Sequence, residues 1–216
     1  MATKSSSHRW LARQSRDPYV KQAQVQGYRS RAAYKLLEID DQDHLLRPGY
    51  RVIDLGAAPG GWSQVAQMRV GPKGFVLAID ILKMDAIKGV QCVQGDFEAP
   101  TVLASLRQIL EQRGISEVDL VISDMAPNLS GVRDADQAKA LRLAEAAVDF
   151  AAGVLRAEGF LLVKLFQSAD CEAYLRVLKQ HFKQVLIRKP KASRSESREI
   201  YVVGKGYQAQ LAIHSQ

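Results

Sequence analysis

The chain has 216 residues, of which 47% are hydrophobic, and a formal net charge of +7. This length supports one domain with a substantial core, and no stretch approaches the roughly 20 apolar residues that a membrane span needs. The first residues also lack the apolar segment of a signal peptide, so we expect a cytoplasmic protein. Cys92 and Cys171 lie in separate apolar segments without a CxxC pair, so we expect neither a disulfide nor a metal site.

The positive charge is concentrated at the N-terminus. Residues 1–35 contain eight basic residues and one acidic residue, whereas the rest of the chain is balanced. Trp10 and three tyrosines alternate with these cations, a combination typical of surfaces that contact RNA phosphates and bases. A solvated tail is the alternative interpretation. A second, smaller basic run near the C-terminus consists of Arg188, Lys189, Lys191, Arg194 and Arg198.

From residue 51 onward, short apolar runs alternate with longer helical segments. The predicted strands are 51–55, 74–80, 90–94, 118–124 and 160–166, and the predicted helices are 61–70, 100–113, 135–156 and 169–181. This alternation predicts an α/β protein with a mainly parallel sheet covered by helices on both faces. The last two runs, 184–189 and 199–206, have only a loop between them, which predicts an antiparallel strand near the end of the sheet.

A glycine-rich loop follows the first predicted strand. Residues 54–62 read DLGAAPGGW, which is neither a GxGxxG nor a GxxxxGK motif. Glycines at this point allow the backbone to approach a ligand at the N-terminus of the next helix. A tight turn without a ligand is the alternative.

Aspartates stand at the ends of the next three predicted strands, at Asp80, Asp96 and Asp124. A single aspartate at a strand end is usually a helix cap or a turn residue. Three of them on the edge where open α/β sheets bind ligands indicate one molecule that carries adenosine, with Asp80 at the ribose and Asp96 at the adenine amino group.

The fifth predicted strand contains a lysine, Lys164, in the apolar run GFLLVKLF. A strand inside a parallel sheet is normally apolar throughout, and an unpaired buried ammonium is costly. We therefore expect Lys164 to lie at the edge of the cleft, close to Asp124.

Six motifs occur in a fixed order, namely DLGAAPGGW, AIDIL, GDF, SDMAPN, LVKLF and SESREIYVV. Together they closely resemble the FtsJ family of S-adenosylmethionine-dependent RNA 2′-O-ribose methyltransferases, and the resemblance runs from near residue 28 to the final strand. It implies a Rossmann-like, seven-stranded class I methyltransferase fold with one antiparallel strand. The implied domain limits are a flexible basic arm over 1–27, one methyltransferase domain over 28–208 and a tail over 209–216.

The resemblance also implies the site residues. The cofactor S-adenosylmethionine is expected to lie among Gly56, Gly60, Trp62, Asp80, Asp96 and Asp124. The family's catalytic tetrad falls on Lys35, Asp124, Lys164 and Glu199, and no metal is implied. Lys164 either takes the proton of the ribose hydroxyl or stays charged and stabilises the developing alkoxide.

The expected function is methylation of a ribose 2′-hydroxyl, on a uridine of large-subunit ribosomal RNA, by a monomer. One alternative is the same reaction on another RNA, such as a transfer RNA or a messenger cap. A second is a non-catalytic RNA-binding factor of ribosome assembly. A third, a nicotinamide dehydrogenase, is disfavoured because GxGxxG is missing.

Overall fold

Seven strands and six helices make up the fold in a computed structural model, which describes residues 17–127, 130–168, 171–194 and 196–209. The helices are α1 (Pro18–Gln26), α2 (Ala33–Asp43), α3 (Gly61–Val70), α4 (Pro100–Gln112), α5 (Arg133–Ala152) and α6 (Cys171–His181). The strands are β1 (Arg51–Leu55), β2 (Phe75–Asp80), β3 (Val90–Gln94), β4 (Val118–Ser123), β5 (Leu155–Phe166), β6 (Phe182–Arg188) and β7 (Glu199–Tyr207).

The sheet has the order β3-β2-β1-β4-β5-β7-β6. Strands β1 to β5 pair in parallel, and β7 runs antiparallel to both β5 and β6. The Rossmann-like fold with one antiparallel strand is therefore confirmed. The chain reverses its direction of winding between β1 and β4, and the crevice at such a point is where open α/β sheets bind ligands.

Two of the predicted boundaries are wrong by more than two residues. Helix α5 ends at Ala152 and not at residue 156, because Leu155 already pairs with Val118 of β4. Strand β5 accordingly begins five residues earlier than the predicted 160–166. Its pairing with β4 is irregular, and Glu158 has a positive φ of 64° in this stretch. For α6 the described part starts at Cys171, so residues 169 and 170 of the prediction lie outside the described residues.

Each face of the sheet is covered by its own apolar layer. Side chains alternate between the faces along each strand, so Val52 packs with α2 and α3 whereas Ile53 packs with α4, α5 and α6. Strand β5 divides in the same way, with Leu162 in the first layer and Leu161 in the second. No helix of the described residues is long and apolar enough to cross a membrane.

Residues 17–27, which the sequence assigns to a flexible arm, form α1 and pack against the domain. Asp17 caps the helix by accepting from the Tyr19 backbone N–H at 3.0 Å, and it pairs with Arg31 at 2.9 Å. Ala23 is buried against Tyr34. These contacts supply the apolar burial that composition alone does not reveal. Residues 1–16 of the arm lie outside the described part of the chain.

A buried carboxylate ties α2 to the last two strands. Asp43 accepts two hydrogen bonds from Arg188 at 2.7 and 2.9 Å, and it pairs with Lys205 at 2.9 Å. Burial raises the pKa of the Asp43 carboxyl, but the hydrogen bonds and charges of the two cations outweigh it and hold the pKa below its usual value. The ionised form therefore stabilises the fold.

Asp43→Asn is expected to lower the free energy of unfolding at neutral pH by about 2–4 kcal/mol, because the buried side chain at this position no longer pairs with two partly buried cations. A carboxyl whose pKa is lowered by folding stabilises the protein above its unfolded pKa, and this contribution is lost as the pH falls through the folded value. Urea unfolding at pH 7 and pH 3.5 is the measurement. An equal loss of unfolding free energy at both pH values would contradict the conclusion that the ionised Asp43 stabilises the fold.

Candidate active site

The carboxyl ends of β1, β2, β3 and β4 open onto a cavity of about 420 Å³. Its walls include four of the residues expected around a cofactor, Gly56, Asp80, Asp96 and Asp124. Met125, Pro127 and Leu143 contribute an apolar side. The cavity thus combines carboxylates with an apolar wall, as small-molecule sites in this size range commonly do.

Asp80 holds the two loops that frame this cavity. One carboxylate oxygen accepts from the Ala58 N–H of the glycine-rich loop at 2.8 Å, and the other accepts from the Leu82 N–H at 2.7 Å. Gly56 has a φ of +69°, and a Cβ there would lie 2.2 Å from Cγ of Met125. A side chain at position 56 would therefore be strained and would displace part of the cavity wall.

Gly60 and Trp62 are placed elsewhere. Trp62 is 3% exposed, its indole N–H donates to the Ala32 carbonyl at 2.8 Å, and its ring packs 5.7 Å from the Tyr201 ring. Gly60 lies against the side chain of Ile87, where a Cβ would come within 2.5 Å. Neither residue lines the cavity of about 420 Å³. Both instead support the loop and the side chains behind it.

The structure brings Lys35, Asp124, Lys164 and Glu199 into one network, and Tyr201 links its halves. Glu199 pairs with Lys35 at 2.8 Å, and Lys35 donates to the Tyr201 hydroxyl at 2.9 Å. Tyr201 donates in turn to Asp124 Oδ1 at 2.7 Å. Lys164 Nζ donates to the same oxygen at 2.9 Å and to the Asp124 carbonyl at 2.5 Å.

Strand register explains this convergence. Lys164 of β5 is directly paired with Tyr201 of β7, so their side chains share one face of the sheet. Glu199 lies two residues before Tyr201 on β7 and therefore points to the same face. Lys35 projects from α2, which covers that face.

Sequence reasoning missed Tyr201. A tyrosine in an apolar strand is ordinary, and its spacing of two from Glu199 was the available signal.

The network keeps both carboxylates ionised. Burial raises the pKa of Asp124, but the charges of Lys164 and Lys35 and the hydrogen bonds from Lys164 and Tyr201 bring it below its ordinary value. The pKa of Glu199 is likewise lowered, since Lys35 outweighs the effect of burial. Burial, followed by the negative charges of Asp124 and Glu199, raises the pKa of Tyr201 well above its usual value. Its hydroxyl therefore keeps its proton.

Asp54, at the centre of the sheet, is a second feature that sequence reasoning missed. It is 1% exposed and accepts from the Ser63 hydroxyl at 2.6 Å, while its Oδ1 has no partner among the described residues. Burial raises its pKa to about 7, and the charges of Asp124 and Asp80 act in the same direction. Near neutral pH this carboxyl is therefore only partly ionised.

Asp54→Asn is expected to flatten the dependence of stability on pH. A carboxyl whose pKa is raised by folding holds its proton in the folded state only, so stability falls as the pH rises from 5 to 8, by about 2–3 kcal/mol. The neutral amide of the variant does not ionise, so its stability should not fall in this way. Urea unfolding at pH 5 and pH 8 measures the difference, with Ser63→Ala as the control that keeps the carboxyl. A variant whose pH dependence matches the wild type would refute the assignment.

Chemically, the site joins a small-molecule cavity to a lysine–carboxylate pair, and Asp124 belongs to both. A group bound in the cavity can thus meet a hydroxyl held at Lys164. This arrangement is suited to moving a proton from that hydroxyl while a second bond forms at its oxygen.

Comparison with known proteins identifies the family of this site. The family model of FtsJ-like methyltransferases matches residues 28–207. A protein of Cellvibrio japonicus named ribosomal RNA large subunit methyltransferase E is 54% identical over 207 residues, which cover 96% of this chain and 97% of that protein. A Pseudomonas fluorescens protein of the same name is 53% identical, with 96% and 98% coverage.

Solved structures agree with this assignment. A Plasmodium falciparum chain assigned as a ribosomal RNA methyltransferase superposes with a TM-score of 0.75 at 30% identity, covering 83% of this chain and 98% of that one. The fibrillarin of Aeropyrum pernix, at 16% identity and a TM-score of 0.51, shares the fold over 82% of this chain and 75% of its own. By sequence over nearly its whole length and by fold, the chain belongs to the FtsJ-like methyltransferase family.

Proposed function

We propose that the protein methylates a ribose 2′-hydroxyl, on a uridine, in large-subunit ribosomal RNA, with S-adenosylmethionine as methyl donor. The observation that carries the proposal is Asp124, which lines the cavity and also holds Lys164 and Tyr201. The names of relatives more than 50% identical support the RNA class. The protein is proposed to act as a cytoplasmic monomer without a metal.

The cavity suits S-adenosylmethionine on several counts. Asp80 would accept from the ribose hydroxyls and Asp96 from the adenine amino group, as carboxylates at strand ends do in nucleotide-binding sheets. Gly56 and Asp124 would lie at the methionine end. When bound, this cofactor supplies a methyl group attached to a sulfonium sulfur. After the transfer that sulfur is part of a neutral thioether.

Lys164 is the proposed acceptor of the hydroxyl proton. Its Nζ donates to two oxygens of Asp124, so one tetrahedral position remains for the substrate. In the amine form that position is a lone pair, which takes the 2′-hydroxyl proton as the oxygen bonds to the methyl group. Asp124 fixes the direction of Nζ, and Lys35 with Glu199 holds the ribose.

The surroundings of the tetrad are suited to RNA. Arg31 of the N-terminal basic segment donates to the Ala192 carbonyl, within the second basic run. Glu38 of α2 accepts from the Lys191 and Ala192 N–H groups at 2.6 and 3.0 Å. Lys189 Nζ donates to the carbonyl of Glu199 at 2.7 Å. Two basic segments far apart in sequence thus meet beside the tetrad, where phosphates would approach.

The intact network also supports an enzyme over two of the alternatives. A non-catalytic assembly factor has no need for two buried lysines paired with two carboxylates, which cost desolvation energy to maintain. A dehydrogenase is excluded by family membership.

Purified protein with tritiated S-adenosylmethionine is expected to label large-subunit ribosomal RNA on a ribose 2′-oxygen, and nuclease mapping would locate the nucleotide. Free ribosomal RNA, unmodified large subunits and transfer RNA are offered in parallel, and Lys164→Ala is the inactive control. Label on a base, or on transfer RNA alone, would contradict the proposal. Tight cofactor binding without label on any RNA would favour the assembly-factor role.

Lys164→Arg is expected to lose methyl transfer by at least about a hundredfold, because arginine keeps its positive charge and cannot accept a proton. Single-turnover rates of the wild type and the arginine variant at saturating RNA are the measurement. Substantial activity in the arginine variant would show instead that Lys164 acts as a charged stabiliser of the alkoxide.

Tyr201→Phe is expected to lower the single-turnover rate about tenfold, equivalent to about 1.4 kcal/mol, because Lys35 and Asp124 lose the hydroxyl that connects them. The ring still packs on Trp62, so the melting temperature should change little. Tyr207→Phe is the matched control, since its hydroxyl donates to the Ala152 carbonyl away from the tetrad. An unchanged rate would remove Tyr201 from the mechanism.

A further inference from the structure

A basic and aromatic surface lies at the opposite edge of the sheet, at the amino ends of the parallel strands. It surrounds a groove of about 480 Å³. We call its basic and aromatic part the amino-edge surface, and it consists of Arg47, Tyr50, Arg156, Phe160, Lys183 and Lys205. Glu158, Gln184 and Gly206 also line the groove. Arg47 and Tyr50 precede β1, and the others come from β5, β6 and β7. The methyl-transfer site, at the carboxyl ends, makes no use of them.

The floor of the groove combines two stacked rings with two guanidinium groups close to them. The rings of Tyr50 and Phe160 lie 6.4 Å apart at an interplanar angle of 24°. The Arg47 guanidinium is 5.8 Å from both ring centroids, and the Arg156 guanidinium is 5.8 Å from that of Tyr50. A stacked guanidinium is held flat by the ring, yet its N–H edge stays available for an anion.

Three of the four cations in the surface already have carboxylate partners. Arg156 pairs with Asp119 at 2.6 Å and Lys183 with Glu158 at 2.5 Å. Lys205 shares Asp43 with Arg188.

Arg47 differs from these three cations. It is exposed, and no carboxylate among the described residues pairs with it. Its one hydrogen bond within the described part of the chain is a long one, from Nε to the His44 carbonyl at 3.4 Å. The surface therefore presents an excess positive charge, with guanidinium donors of Arg47 close to two stacked rings.

The two edges of the sheet are too far apart to contact the same nucleotide. Strand β1 has five residues, which at about 3.3 Å per residue separates its ends by about 16 Å. A ligand at the amino edge is therefore a different part of a large substrate or another molecule.

We propose that the amino-edge surface binds a second, single-stranded segment of the same RNA. Arg47 donates to a phosphate and offers its outer face to a base, and Lys183 contacts the next phosphate. Aromatic and guanidinium platforms among cations are the usual device for sequence-tolerant binding of single strands. An acidic protein segment would need the cations but not the planar stack. The inference rests on the proposed function, because that function supplies an RNA long enough to reach both edges.

The test compares RNA binding by full-length variants, measured by fluorescence anisotropy on a large-subunit rRNA fragment at 50 to 300 mM salt. Arg47→Glu is expected to raise Kd about tenfold or more, and Arg47→Gln less. Losing one phosphate contact should reduce the slope of log Kd against log salt by about 0.7 to 0.9. Glu158→Gln should have the opposite effect and lower Kd, because it releases Lys183.

Arg176→Glu, the same charge reversal on the exposed side of α6, is the matched control. Equal Kd values and salt slopes for Arg47→Glu and Arg176→Glu would overturn the proposal, and so would no effect of Glu158→Gln. Binding is measured without turnover, so a wild type that binds RNA but labels none refutes the proposed function and leaves this comparison decisive.

Discussion

The site depends on one carboxylate, that of Asp124, which lies at the end of β4 where the sheet can be reached from the cavity. It is the shared acceptor of Lys164 and Tyr201. Removing a charge from water is costly unless the charge is paired, so each buried lysine requires a nearby acid. The network is balanced, with two cations and two carboxylates, and this balance allows a lysine to occupy an otherwise apolar strand.

The position of β7 makes the network possible. A parallel strand next to β5 would need a long crossover, and its first residues would lie at the amino edge. Because β7 runs antiparallel, its first residue, Glu199, is opposite Phe166 at the carboxyl edge. The basic run that precedes β7 is brought to the same place. One reversal of strand direction thus supplies the second acid, the linking tyrosine and part of the positive charge beside the site.

Much of the fold was predictable because the buried strands are short, strongly apolar runs in the sequence. Lys164 was noticeable because it interrupts such a run. The misses have physical reasons. Helix α1 looks like a tail in composition, since its burial depends on contacts with Tyr34 that lie outside its own segment. The end of α5 was placed too late because its alanine-rich sequence favours a helix, and pairing with β4 overrides that preference. Tyr201 has no unusual feature until strand register places it between two charged residues.

Charge counting illustrates the same limit and leads to the amino-edge surface. Beyond residue 35 acids and bases are equal in number, and the sequence gives no sign of a basic surface at Arg47. In three dimensions the acidic side chains are distributed unevenly among the cations. Asp43 pairs with two cations, whereas Arg47 has no carboxylate partner in the described part of the chain. A sum over sequence cancels charges that the fold keeps apart. An even charge balance is therefore compatible with the proposed RNA contacts at both edges of one sheet.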